Sequence, residues 1–138
     1  MGVLDMSGGL DGTLGVEVLE ASADRVVLGA AIAPQLLQPY GIVHGGVYCS
    51  MVESAASIGA ALWFGDRGNV VGVANSTNFL RAAREGRLTA TAEPIHRGRT
   101  QQLWRVTITG VDDRMLAVGE VRLANIADAQ VLGAPAQG

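Results

Sequence analysis

The sequence predicts an α+β domain in which one long helix covers one face of a curved antiparallel sheet. Segments that alternate apolar and polar residues, as half-buried strands do, lie on both sides of residues 46–64. That middle stretch is apolar on all sides and long enough to form a single buried helix. Strands grouped around one helix are typical of the α+β class, and 138 residues fit one domain.

The elements follow one another in a simple order. Alternation predicts strands at residues 13–21 and 25–33, with Ala23 and Asp24 at the tip of the hairpin. Pro39 interrupts the chain before the helix, and glycine-rich residues after Phe64 end it. Four more strands are predicted at residues 69–81, 87–97, 101–111 and 115–125.

The two ends of the chain lack these patterns. Residues 1–12 are rich in glycine, and residues 127–138 are rich in alanine, glycine, glutamine and proline, so both are expected to be flexible. No internal repeat or linker divides the rest. The sequence therefore predicts one domain over residues 13–126.

Composition excludes several classes of protein. A net charge of −3 argues against binding to nucleic acid, and two histidines without ligand spacing argue against a metal site. Glu53 and several small polar residues interrupt the apolar stretch, so no membrane span is predicted, and the N-terminus has no signal-peptide pattern. The lone Cys49 cannot form an internal disulfide, which fits a reducing cytoplasm. Charged residues are only 17% of the chain, which favours buried contacts between subunits.

Glu53 is the main clue to chemistry because it is the only charged residue between His44 and Asp66. A carboxylate on a buried helix loses hydration, which is costly unless the group is paired or used. Residues four apart share a helix face, so Glu53 shares one with Cys49 and Ser57. The Ser57 hydroxyl could bind the carboxylate or a water molecule, or it could bond back to a carbonyl of its own helix.

The loop before the helix carries His44, Gly45 and Gly46. Free backbone N–H groups and the positive end of the helix dipole meet there, and such donors can stabilise a developing oxyanion. The alternative is a tight turn that only starts the helix. A Cys49–His44 nucleophile and base are disfavoured, since a nearby carboxylate opposes formation of the thiolate.

These motifs resemble the acyl-CoA thioesterases of the hotdog fold. The resemblance rests on residues 38–46, which read Gln-Pro-Tyr-Gly-Ile-Val-His-Gly-Gly, together with Glu53 and Ser57. Residues 70–72, 78–86 and 94–99 resemble the same branch, which contains phenylacetate-pathway, hydroxybenzoyl-CoA and dihydroxynaphthoyl-CoA thioesterases. The similarity extends over residues 13–126. It implies a curved antiparallel sheet wrapped around one long central helix.

The resemblance also implies a site shared between subunits. It implies a homodimer or homotetramer in which Gln38, His44 and Gly45 come from one subunit and Glu53 and Ser57 from the other. The Gly45 N–H would polarise the thioester carbonyl, and Glu53 would act as nucleophile or as general base. Gln38 would orient the carbonyl or a water molecule, and Ser57 would position the water or the carboxylate. His44 would support the loop and assist departure of the thiolate.

Coenzyme A would enter as part of an acyl-CoA substrate, and no separate cofactor is expected. All ten basic residues are arginine, and half of them lie in residues 81–99, where guanidinium groups suit the phosphates of coenzyme A. Relatives often have Asn-His where this chain has Asn78 and Phe79, which removes a donor and adds apolar area. The predicted coenzyme A contacts are Asn78, Phe79, Arg81, Arg84, Arg97, Gly98 and Arg99.

Two other functions compete with thioester hydrolysis. A hotdog hydratase or dehydratase would use a histidine with a carboxylate in a different arrangement. A non-catalytic acyl-CoA-binding hotdog protein would be expected to have lost Glu53. The presence of Gln38, His44, Gly45, Glu53 and Ser57 together favours a thioester hydrolase.

Overall fold

The computed structural model describes residues 2 and 4–127 and has the predicted architecture. Six antiparallel strands form one sheet in the order β1-β2-β4-β5-β6-β3, and the sheet curves around a single long helix, α2. The chain runs through α1 (Gly9–Leu14), β1 (Glu17–Ala21), β2 (Val26–Ala31), α2 (Gly45–Phe64), β3 (Asn69–Phe79), β4 (Arg87–Arg97), β5 (Gln101–Thr109) and β6 (Met115–Ile126).

Helix α2 fills the concave side of the sheet. Its side chains Met51 and Ala55 are fully buried and share one core with Trp104 of β5 and Leu123 of β6. Burial of the apolar side chains in this core is the main favourable contribution to the free energy of folding. In the middle of α2, where the sheet does not cover it completely, the half-buried positions form one face: Cys49, Ser50, Glu53, Ser54 and Ser57.

The N-terminal region differs from the sequence prediction. Residues 9–14 form α1, where loose chain and the start of a strand were expected, and β1 begins only at Glu17. Gly15 ends α1 in the left-handed conformation, and the Ser54 hydroxyl donates to Asp11 Oδ1 at 2.6 Å, which joins α1 to α2. Most of the tail predicted at 127–138 lies outside the described residues, and the domain limits stay a prediction.

The apolar stretch that contains α2 is longer and more apolar than predicted from the sequence. Among the described residues, Gly45–Arg67 is one helical stretch long and apolar enough to cross a bilayer, since Glu53 alone does not lower its hydropathy sufficiently. More than half of that stretch is buried against the protein itself. Its apolar character is therefore accounted for by the core.

Strand β3 forms one edge of the sheet. It pairs with β6 along its length, and no second strand pairs with it among the described residues. The pairing with β6 shifts between Gly72 and Ala74, so the strand carries a bulge at Val73. Val73 is 58% exposed and Val71 is also exposed, so this edge presents apolar side chains along with its unpaired backbone.

Candidate active site

The start of α2 leaves the Gly45 backbone donor free. His44 caps the helix, since its Nδ1 accepts the Gly46 N–H at 2.7 Å and its carbonyl accepts the Val47 N–H at 2.9 Å. The Gly45 N–H has no acceptor among the described residues. Because Nδ1 accepts a hydrogen bond, it carries no proton, and the neutral ring holds its proton on Nε2. His44 is exposed, so this Nε2–H is an available donor beside the start of α2.

Gln38 lies in the loop that leads to this turn. Its side-chain Oε1 accepts the Tyr40 N–H, and its backbone N–H donates to the Ile42 carbonyl at 2.8 Å. Arg84 fastens the same loop by donating to the carbonyls of Tyr40 and Gly41 at 3.1 and 3.3 Å. With its oxygen occupied, Gln38 has its amide NH₂ available to donate.

Gln38 and Gly45 line one cleft of about 340 Å³. The Phe79 ring lies directly on Gly45, because a Cβ at that glycine would be 2.5 Å from the ring. Tyr48 stands behind Phe79, with ring centroids 5.9 Å apart at a tilt of 49°. The remaining walls are mostly apolar: Ile42, Val43, Leu80, Arg81 and Ala82. The cleft therefore combines free donors with an apolar lining, as small-molecule sites do.

Glu53 lies in the middle of α2 and faces β3. Its Oε1 accepts from Asn75 Nδ2 at 3.1 Å, and Asn75 also donates to the Cys49 carbonyl at 3.1 Å. Thr77 donates to Asn75 Oδ1 at 2.7 Å, which fixes the orientation of the amide. A Cβ at Gly72 would lie 2.1 Å from Glu53 Oε2, so only glycine leaves room for the carboxylate there.

Two expectations about this face are refined. Glu53 is half-buried rather than interior, and its neutral partner Asn75 comes from the sheet, while no described cation pairs with it. Ser50 donates back to its own helix, to the Gly46 carbonyl at 2.8 Å, whereas the Ser57 hydroxyl has no hydrogen-bond partner in the described part of the chain. Ser57 is thus free to contact water beside Glu53. No cluster of three metal-binding side chains occurs among the described residues.

The predicted residues do not converge within a single chain. Glu53 follows Gly45 by eight residues of α2, which is about 12 Å along a helix axis. Gln38, His44 and Gly45 lie at the start of α2, whereas Glu53 and Ser57 lie along its middle. One chain therefore holds two separate halves of the predicted constellation.

The predicted coenzyme A residues are also divided. Arg81 and Arg84 lie near the start of α2, beside Phe79. Arg97, Gly98 and Arg99 lie beside Trp63 at the other end of the helix. Asn78 alternates with Phe79 along β3 and lines a polar depression on the outer face of the sheet.

Two of the four arginines already have structural partners. Arg97 donates to Asp24 Oδ1 and to the Ala23 carbonyl, both at 2.8 Å, and lies over the Trp63 ring. Arg84 holds the loop before α2, as described above. Arg81 and Arg99 are exposed and have no recorded side-chain partner among the described residues, so they are the arginines with free guanidinium groups.

Sequence reasoning missed Tyr48, Gly72 and Asn75. Tyr48 occurs three residues after Gly45 and reads in the sequence as an ordinary core residue of an apolar helix. The contacts of Gly72 and Asn75 with Glu53 depend on how β3 crosses α2, which no local pattern reveals. A glycine within an otherwise β-branched run was the only available signal, since it marks a close approach of another group.

Comparison with known proteins gives consistent matches. A family model described as the thioesterase superfamily matches residues 40–117. The 1,4-dihydroxy-2-naphthoyl-CoA hydrolase of Listeria monocytogenes is 34% identical over 116 residues, which cover 84% of this chain and 94% of the hydrolase.

Solved structures agree in fold. A Mycobacterium tuberculosis protein with a provisional esterase name has a TM-score of 0.84 at 49% identity, covering 86% of this chain and 96% of that one. A thioesterase from Haemophilus influenzae has a TM-score of 0.84 at 30% identity, covering 88% and 85%. The hotdog fold implied by the motifs is confirmed by these likenesses.

Proposed function

This chain belongs to the thioesterase superfamily, and we propose that it hydrolyses acyl-coenzyme A thioesters to a free acid and coenzyme A. The observation that carries the proposal is the free Gly45 N–H at the start of α2, in an apolar cleft. The name of the Listeria relative, a CoA thioester hydrolase, supports coenzyme A as the carrier. The acyl group is held in the cleft with its carbonyl oxygen on this amide.

Each predicted residue then has a chemical task. The Gly45 N–H and the helix dipole stabilise the negative charge that develops on the carbonyl oxygen, and the free amide of Gln38 donates beside it. Glu53 either attacks the carbonyl carbon or takes a proton from the attacking water. The C–S bond breaks, and the His44 Nε2–H assists departure of the thiolate by donating a hydrogen bond to its sulfur, which then takes up a proton from solvent. Overall, one water is consumed for each acid and thiol released.

The two halves of the site are joined by a second copy of the chain. The unpaired edge of β3 and its exposed valines form the surface on which this second copy pairs. With a twofold axis through residue 76, the bulge at Val73 would bring Gly72 opposite the partner subunit's Phe79, and opposed side chains would share a face of the sheet. Because Gly72 lies on Glu53 and Phe79 lies on Gly45, that register brings Glu53 toward the partner subunit's Gly45. The assembly is thus a dimer, or a tetramer built from dimers.

The nucleotide end of coenzyme A is bound by arginines. Arg81 and Arg99 supply the free guanidinium groups. Arg84 contributes its charge while it is bonded to the loop before α2, and Arg97 contributes its charge while it is bonded to the hairpin between β1 and β2. Asn78, Phe79 and Gly98 complete the predicted contacts. No further cofactor is needed for hydrolysis, and a cytoplasmic location stays a prediction.

The test is thiol release from a panel of acyl-CoA thioesters, compared with the matching acyl-pantetheine thioesters. We expect hydrolysis of CoA thioesters with kcat/KM at least tenfold above that of the truncated substrates. Hydrolysis of oxygen esters alone, or no turnover of any thioester by the purified oligomer, would contradict the proposal.

A further inference from the structure

The Gln102 side chain is fully buried although it is polar. Its oxygen accepts the Trp104 Nε1–H at 2.8 Å, and its NH₂ group donates to the Ala60 carbonyl of α2 at 3.2 Å and to Asn125 Oδ1 at 2.8 Å. An indole N–H can only donate, so the Gln102 oxygen must face it and the NH₂ group must face the helix and Asn125. Three hydrogen bonds in the core therefore fix this amide in one orientation.

Asn125 extends this network to the loop between β4 and β5. Because its Oδ1 accepts from Gln102, its NH₂ group faces the loop, where it donates to the carbonyls of Gly98 and Arg99 at 2.9 and 3.3 Å. Its backbone N–H donates to the Thr100 carbonyl at 2.9 Å. Three consecutive carbonyls of the loop thus accept from this one residue. Carbonyl groups only accept, so the direction of the network is fixed at both ends.

The loop that Asn125 holds carries the guanidinium group of Arg99. That side chain is exposed and has no recorded side-chain partner among the described residues, whereas Arg97 is bonded to the hairpin between β1 and β2. A free cationic side chain therefore stands on a backbone that is bonded to the core. A binding group on a fixed backbone loses less conformational freedom when it meets its ligand than one on a mobile loop.

We propose that Asn125 is a positioning residue, which holds the loop so that Arg99 meets a phosphate of coenzyme A, and that Gln102 sets the orientation of Asn125 from the core. The inference rests on the proposed function and deepens it by naming two residues that control affinity for the nucleotide without touching it. Phosphate contacts lie far from the reacting carbon, so loss of the network should raise KM and leave kcat unchanged.

The experiment compares Asn125→Ala with Asn69→Ala, the same change at an exposed asparagine on the neighbouring strand β3. Asn125→Ala should raise KM for acyl-CoA about fivefold, with unchanged kcat and unchanged constants for acyl-pantetheine, and Asn69→Ala should behave as wild type. In an Arg99→Ala background, Asn125→Ala should raise KM no further, because the side chain that it positions is absent. The same rise in both backgrounds, an equal loss on acyl-pantetheine, or an unchanged KM would overturn the inference.

A second variant guards against loss of the fold. Asn125→Asp keeps the shape and the acceptor for Gln102 but removes both side-chain donors to the loop, and Asn69→Asp controls for the added charge. Thermal melting identifies the variants that fold. Asn125→Asp should raise KM for acyl-CoA at least as much as Asn125→Ala, and a KM equal to that of Asn69→Asp would overturn the inference.

Binding of free coenzyme A, measured by calorimetry, separates this inference from the hydrolytic function. The Kd should rise about fivefold in Asn125→Ala relative to the wild type, and no further when Asn125→Ala is added to Arg99→Ala. If no thioester is turned over, the proposed function fails and this binding measurement decides the role of Asn125. Equal Kd for the wild type and the Asn125 variants, or no binding of coenzyme A by the wild type, would overturn the inference.

Discussion

Glu53 depends on a small set of neighbours on β3. Asn75 donates to one carboxylate oxygen, Thr77 orients Asn75, and the bare backbone at Gly72 makes room for the other oxygen. A carboxylate positioned by a neutral amide keeps its charge available, whereas a cationic partner would bind it in an ion pair. The position of Glu53 is thus determined by a strand that follows it in the sequence by about twenty residues.

Adding one methyl group at Gly72 tests this arrangement. In Gly72→Ala the new Cβ would collide with Glu53 Oε2, so the carboxylate must move. A displacement of about 1 Å at a reacting group can cost about 10²-fold in rate, and we expect a loss of that order in kcat. The control is Leu19→Ala, at an exposed residue of the opposite edge strand β1, which should retain most of its activity. Unchanged kcat in Gly72→Ala would show that Glu53 needs no fixed position.

The arginines with free guanidinium groups give a second test at this scale. Phosphate contacts lie far from the reacting carbon, so Arg81→Ala and Arg99→Ala should raise KM for acyl-CoA about tenfold with little change in kcat. On acyl-pantetheine, Arg99→Ala should be indistinguishable from wild type, and Arg81→Ala, which also lines the acyl cleft, should lose less than it does on acyl-CoA. Arg25→Ala, which removes an exposed ion pair with Glu20, serves as the control. Equal losses on both substrates would mean that neither arginine binds the nucleotide.

At the scale of elements, periodicity predicted most of the fold. The six strands and α2 lie close to their expected positions because each buries one apolar face that is visible in the local pattern. Helix α1 was missed because it is six residues long, contains two glycines and depends on contacts with α2 such as Ser54–Asp11. The local sequence pattern could not predict the contact between Gly72 and Glu53, because that contact depends on how β3 crosses α2.

The start of α2 offers a test of an element. His44→Ala removes the Nδ1 acceptor of the Gly46 N–H, and loss of an N-cap costs about 1 kcal/mol, or roughly 4 °C in Tm. His44→Asn restores a capping side chain and should recover the stability without restoring the Nε2–H donor. Thermal melting measures the first effect, and kcat of the two variants measures the second. A Tm of His44→Ala equal to that of the wild type would contradict the capping role.

At the scale of the whole molecule, the edge of β3 and the half-covered face of α2 lie on the same side. The half-buried side chains of Cys49, Glu53 and Ser57 lie beside β3, whose backbone is unpaired along one edge in the described part of the chain. A long apolar edge invites pairing with another chain. A second copy would cover this side and complete the site that one chain holds in two halves.

A charge on this edge should prevent assembly. Val73→Lys places an ammonium group on β3 at a bulged, exposed position and should shift the protein to monomers with little remaining activity. Leu19→Lys, at a comparably exposed residue of the opposite edge strand β1, should leave the assembly intact. Light scattering and sedimentation measure the outcome. An active Val73→Lys monomer would rule out a site shared between subunits.

The central claim is that Glu53 drives thioester hydrolysis, and its most direct test is turnover by Glu53→Gln. Glutamine keeps the shape and can still accept from Asn75, so the fold and the oligomer should persist, while loss of the base or nucleophile should lower kcat about 10²–10⁴-fold. The control is Glu120→Gln on the outer face of β6, where the carboxylate forms an ion pair with exposed Arg105. A correctly assembled Glu53→Gln enzyme with more than about a tenth of the wild-type kcat/KM, above the range for loss of a general base, would contradict the claim.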